Sequence, residues 1–163
     1  MQWTKRSPEV AALLNPAFCG ILLFSAIDGF ISQDQSGMPF TECFLVLPLV
    51  LHTSTRESFP ASMRTPFHAW ANAHGTIRIG LAERVSAAAS TTRESLIYLM
   101  NRNALVIQGD SLAVGRYKPS ISKARQSSSE DVKFSVQSAS LLGRLLAHAG
   151  RPSTVFATLG ITP

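Results

Sequence analysis

Charge is scarce in this chain: only 15% of its 163 residues are Asp, Glu, Lys or Arg, while 45% are hydrophobic. An average soluble domain carries about 25% charged residues, so part of the apolar surface here is expected to be covered by a partner, as in a subunit. The formal net charge of +5 comes from 15 basic and 10 acidic residues with no dense basic block; it permits contact with nucleic acid or an acidic protein but is weak evidence for DNA binding. Cysteine is nearly absent. Cys19 and Cys43 lie in apolar surroundings, and neither has a second Cys or a His at zinc-ligand spacing, so they read as buried reduced thiols in a cytoplasmic protein. No glycine-rich turn precedes a Walker lysine, and no Gly-x-Gly-x-x-Gly follows a strand, which excludes the common nucleotide-binding fingerprints. The four histidines, at 52, 68, 74 and 148, are scattered, so no cofactor or metal is expected.

The apolar run that is present needs a location. Val10 to Ile27 approaches the length of a membrane span and comes after Lys5 and Arg6. Asn15-Pro16, Gly20 and Ser25 interrupt it, Asp28 closes it, and the bulky Phe18 before Cys19 is wrong for a lipoprotein cleavage site. It reads as core, not as membrane or export signal. A single domain of this length buries roughly two thirds of its unfolded surface.

Ser7-Pro8-Glu9 is a helix start, and Pro16 divides the helical region into a short piece, Val10 to Leu14, and a central helix, Ala17 to Ile31. Gln33 to Pro39 reads as a loop. Phe44 to Leu51 is an apolar run that reads as a strand covered on both faces, placed at an edge or bent by Pro48. Ser54 and Glu57 have capping-box spacing, as do Thr91 with Glu94 and Ser127 with Glu130. Helices are expected over Thr65 to Asn72, Ile77 to Ala88 and Thr92 to Asn101. Ala104 to Ile107 and Leu112 to Gly115 flank Gln108-Gly109-Asp110-Ser111 as a tight hairpin. Residues 119–129 form a Ser-rich basic linker. A long helix from Glu130 to about Ala149 should present Phe134, Leu141, Leu142, Leu145 and Leu146 inward, with a last helix from Ser153 to Leu159 stopped by Gly160.

The resulting class is α+β and mostly helical. A helix, a lone strand, two helices and a hairpin succeed one another in winged-helix order, giving a winged-helix-like core over about 7–118, the linker, and a C-terminal helical segment, 130–163. Thr92 to Asn101 would then hold the recognition-helix position, with Thr91, Arg93, Ser95 and Asn101 facing outward. That set is poor in base readers, so direct sequence reading of DNA is not expected. Arg102, Arg116, Lys118, Lys123 and Arg125 are the better candidates for nucleic acid or an acidic partner. His52 and Glu57 beside Thr55 and Arg56 form the tightest polar cluster. They could act as a base and its orienting carboxylate, but no nucleophile or oxyanion device accompanies them, so a cap or partner contact is favoured over catalysis.

Several longer motifs resemble a known family. They are Arg6 with Glu9 through Cys19 (Glu-Val-Ala-Ala-Leu-Leu-Asn-Pro-Ala-Phe-Cys), Gly37 to Phe40, Phe44 to Glu57, Phe67-His68-x-Trp70, Gly80 to Arg84, Thr92-Arg93-Glu94 and Leu159 to Pro163. In this order they resemble the middle component of three-component ABC ATPase systems, including the Lamassu type of bacterial anti-phage defence. The resemblance covers most of the chain but not the Ser-rich stretch from about Pro119 to Ser129. It implies a non-enzymatic accessory subunit that joins an SMC-like ATPase to an effector, often a nuclease, with DNA met through the complex. It also implies similarity to the small kite-type subunits of condensin-like machines. On this reading Trp3, Arg6, His52, Arg56, Glu57 and Arg93 are the partner-binding candidates. A stand-alone winged-helix regulator remains the alternative.

Overall fold

The computed structural model describes residues 15–121 and 129–162. The expected N-terminal piece, Val10 to Leu14, and the capping residue Ser127 lie outside them. Helix α1, Pro16–Gln33, starts where Pro is best tolerated: Asn15 is the N-cap, its side chain accepting from the Ala17 N–H at 2.7 Å, and Pro16 occupies the first turn. By length and composition α1 could cross a membrane. In this fold it is the central helix, and ten of its residues are buried.

The chain then forms a two-residue strand, β1 (Met38–Pro39), which was expected to be loop. A 3-10 turn, Phe40–Glu42, leads into helix α2, Cys43–Val50. This corrects the expected strand. An apolar run that is buried on every side has no period to distinguish strand from helix. Here the run is covered by α1 and by two later helices. Pro48 sits inside α2, where it forfeits one backbone bond in an otherwise enclosed helix. Helix α3, Thr53–Glu57, has His52 as its N-cap, so the expected Ser54 and Glu57 capping box is not used. Ser54 Oγ instead meets His52 Nδ1 at 3.3 Å.

Helix α4, Phe67–Ala73, and a 3-10 turn, Gly75–Arg78, lead to α5, Leu81–Asn101. The sequence suggested two helices here. The Thr91 and Glu94 spacing does not restart the chain, because Thr91, Thr92 and Ser95 are buried on a helix that runs on across α1 and α2. Two of the four side chains expected to face outward, Thr91 and Ser95, therefore point into the core, while Arg93 and Asn101 are exposed.

Strands β2 (Leu105–Gln108) and β3 (Ser111–Val114) form the expected hairpin. With β1 they make a three-stranded antiparallel sheet in the order β1-β3-β2. The register pairs Leu105 with Val114 and Gln108 with Ser111, while Met38 opposes Leu112. Gly37 lets β1 approach: its φ is 92°, and a Cβ there would lie 2.9 Å from the Leu112 carbonyl oxygen.

Helix α6, Glu130–Ala147, is capped by Ser129, which accepts from the Val132 N–H at 3.4 Å; Glu130 and Asp131 lie in its first turn. Its buried face is Val136, Ala139, Leu142, Gly143, Leu145 and Leu146. Phe134, expected inside, is 41% exposed. Helix α7, Pro152–Leu159, ends at Gly160 with φ 71°. His68 and Arg78 tie α7 and the end of α6 to the rest. The His68 Nε2–H donates to the Ala149 carbonyl at 2.6 Å, and Arg78 Nε donates to the Thr158 carbonyl at 2.9 Å.

The most extensive contact in the fold is between α1 and α6. They cross on small residues: a Cβ on Gly143 would collide with the Ala26 carbonyl oxygen, and one on Gly29 with the Ser140 carbonyl oxygen. Overpacking of this kind costs about 1–3 kcal/mol, and backbone opposes backbone here, so neither side can yield by changing a rotamer. Gly143→Ala is expected to lose at least that much in urea unfolding. Gly20→Ala, on the same central helix, meets only Leu99 and Tyr98 side chains at 3.5 Å or beyond. It should be neutral or stabilising by about 0.5–1 kcal/mol.

Candidate partner and anion-binding faces

Two faces gather the candidate residues. The first is built on α3. Arg56 is only 4% exposed. Its Nη1 donates to the Val50 carbonyl at 3.0 Å, its Nη2 to Asp131 Oδ1 at 2.5 Å, and its guanidinium lies 5.4 Å from the Phe134 ring centroid. Arg56 thus closes the end of α2 and fastens α3 to the start of α6, with the charge used inside the chain. Glu57, next to it, is exposed. A cleft of about 780 Å³ opens alongside, lined by Arg56, Glu57, the Phe59 to Arg64 loop, Phe134 and Arg144. Its loop is held by Trp70, whose indole N–H donates to the Ser58 carbonyl at 2.8 Å and whose ring meets Phe59 edge-on at 5.1 Å.

His52 is bound to the α3 turn, its Nδ1 2.8 Å from Thr55 Oγ1. It is not hydrogen-bonded to Glu57, so the two do not form a base and orienting carboxylate. Burial first, and the Arg84 charge second, push the His52 pKa down. Among the described residues no three His, Cys, Asp or Glu side chains come together as a metal-ligand group. Arg93 is exposed and lies 5.6 Å from the Phe44 ring centroid, joining the middle of α5 to α2. Trp3, Arg6, Lys123 and Arg125 lie outside the described residues.

The second face lies where α5 ends and the hairpin returns. Arg102, Arg116 and Lys118 are all exposed there, and the Arg102 guanidinium is 4.5 Å from the Tyr98 ring centroid. Arg102 and Arg116 line one cavity although 13 residues separate them in the chain, and Lys118 follows two residues on.

One buried group had no sequence signal. Glu42, in the 3-10 turn before α2, is 0% exposed, and among the described residues neither carboxylate oxygen has a hydrogen-bond partner. Burial pushes its pKa up to about 8. The Cys43 thiol is pushed up to about 12, by burial first and then by the Glu42 charge. A buried carboxyl without partners favours the neutral form. The pattern Phe-Thr-Glu-Cys reads as an ordinary turn, so only the surrounding packing reveals this.

Both buried groups can be tested through stability. Arg56→Ala leaves the Val50 carbonyl without its donor in the core and should cost about 1–3 kcal/mol in denaturant unfolding. Asp131→Ala takes the carboxylate from a guanidinium that is itself nearly buried and should cost about 1–3 kcal/mol. Glu42 makes stability pH-dependent with a definite sign. Its folded pKa lies above the ordinary 4.5, so its contribution is intact below that pH and is lost as pH rises through about 8. The slope should approach about 1.4 kcal/mol per pH unit between those limits. Melting curves of Glu42→Gln across this range should lack that slope.

Residues 3–163 match a family described as "ABC-three component (ABC-3C) system Middle Component 3". No curated protein and no solved structure matches the chain. With the match spanning nearly its whole length, the chain belongs to the Middle Component 3 family of ABC-three component systems, and so to a multi-subunit system in which it has protein partners.

Proposed function

We propose that this protein is a non-catalytic, cytoplasmic accessory subunit that bridges an SMC-like ABC ATPase and a nuclease-type effector in bacterial anti-phage or anti-plasmid defence of the Lamassu kind. The observation that carries this is the family match over residues 3–163. The surface agrees with a subunit: Ile79 is 74% exposed, Ile107 71% and Ile97 52%, side chains that a partner would cover. The sheet order β1-β3-β2, with α2 to α5 between the first two strands, supports a winged-helix reading, and with it the likeness to kite-type subunits. The cleft beside Arg56 and Glu57 and the exposed Arg93 are the faces we assign to those partners. His52 and Arg56 hold the first of them in shape, and Trp3 and Arg6 complete the set of contact residues.

Co-expression with the genes beside its own, then affinity capture and size-exclusion chromatography with mass determination, tests this reading. Stable co-elution with a coiled-coil ATPase and a third subunit is the expected result. Charge reversal at Arg93, which is exposed, should weaken that co-elution while costing no more stability than the about 0.5–1 kcal/mol of its contact with the Phe44 ring. A chain that elutes alone and binds one duplex sequence selectively would overturn the proposal in favour of a stand-alone winged-helix regulator.

A further inference from the structure

The exposed face between the end of α5 and the chain leaving β3 carries cations and aromatic rings in alternation. Arg102 caps α5, and Asn103, with φ 58°, turns the chain into β2. The strands bring the next basic residues back to the same place. The Gly115 N–H donates to the Ala104 carbonyl at 2.7 Å and the Tyr117 N–H to the Asn103 carbonyl at 3.0 Å. Only glycine fits at 115, where a Cβ would collide with the Asn103 carbonyl oxygen. Arg116 and Tyr117 are therefore held beside Arg102 by backbone bonds, with Lys118 next in the chain. Two cavities of about 520 and 390 Å³ adjoin there. Arg102 and Tyr117 line both, Arg116 lines the first and Tyr98 the second. Tyr117 is 49% exposed. Among the described residues no acid pairs with Arg102, Arg116 or Lys118.

We propose that this face binds single-stranded nucleic acid, with phosphates on Arg102, Arg116 and Lys118 and a base stacked on Tyr117. Cations alone would suit any polyanion, including an acidic polypeptide. The tyrosine rings set between them suit a chain in which phosphates alternate with planar bases. A duplex keeps its bases stacked on one another and cannot offer them to a ring. The inference goes beyond the assembly reading and does not depend on it.

The test is fluorescence anisotropy of a labelled oligothymidylate titrated with the full-length chain over a series of salt concentrations. Binding should weaken as salt rises, with each phosphate contact contributing about 0.7 to the log–log slope, so Arg116→Glu should lower both affinity and slope. Tyr117→Ala should weaken binding by about 5- to 150-fold. Both side chains are exposed, and melting temperatures equal to that of the parent chain would show that the losses are not unfolding. The proposal is overturned if no binding is seen, or if the two variants bind as the parent does. It is also overturned if Tyr117→Ala alone has no effect, if polyglutamate displaces the strand as readily as unlabelled oligothymidylate, or if the matching duplex binds more tightly. Co-elution with the ATPase is read separately, so either proposal can fail alone.

Discussion

The crossing of α1 over α6 is the contact on which the rest of the structure depends. At Gly29 and Gly143 the two backbones approach so closely that no side chain separates them. A contact of this kind maximises dispersion between the helices but tolerates no added atom. It sets the distance at which the two helices lie, and α2 packs against both of them. Once α1 and α6 are fixed, Arg56 can reach Asp131 at the start of α6, and α5 can lie across α1 with Leu99 against Gly20.

Within that frame polar groups are treated in two ways. Arg56 is nearly buried yet engaged: a carbonyl, a carboxylate and a ring accept its charge. Glu42 is fully buried and, among the described residues, its carboxylate has no hydrogen-bond partner. The first arrangement joins three helices, while the second places a proton-dependent strain at the entrance to α2. Exposed cations are left for the outside of the molecule, at the end of α5 and along the returning hairpin. A chain with so little charge thus uses arginines such as Arg56 and Arg78 as structure and presents a local cluster of others to solvent.

Much of the fold was legible from punctuation. Asn15-Pro16 opens α1, Gly109-Asp110 turns the hairpin, and Gly160 stops α7, each through a local backbone preference that its neighbours do not alter. The cationic face was legible in its members, since Arg102, Arg116 and Lys118 stand out in a charge-poor chain. Their meeting was not legible, because it is made by the Asn103 turn and the register of β2 with β3. Glu42 and the buried role of Arg56 were invisible, since a residue's burial is a property of what packs around it.

The amino-acid sequence by itself determined the start of α1, the stop of α7, the hairpin and the family to which the chain belongs, because these rest on contiguous residue patterns. Tertiary structure alone decided that Cys43 to Val50 is helix and not strand, that α5 runs unbroken through Thr91 to Glu94, and that Met38 and Pro39 pair with β3. The physical reason is the same in each case. An apolar run, a capping spacing and a two-residue extended segment are each compatible with more than one backbone state, and the choice falls to whichever state buries the most surface against the neighbouring elements.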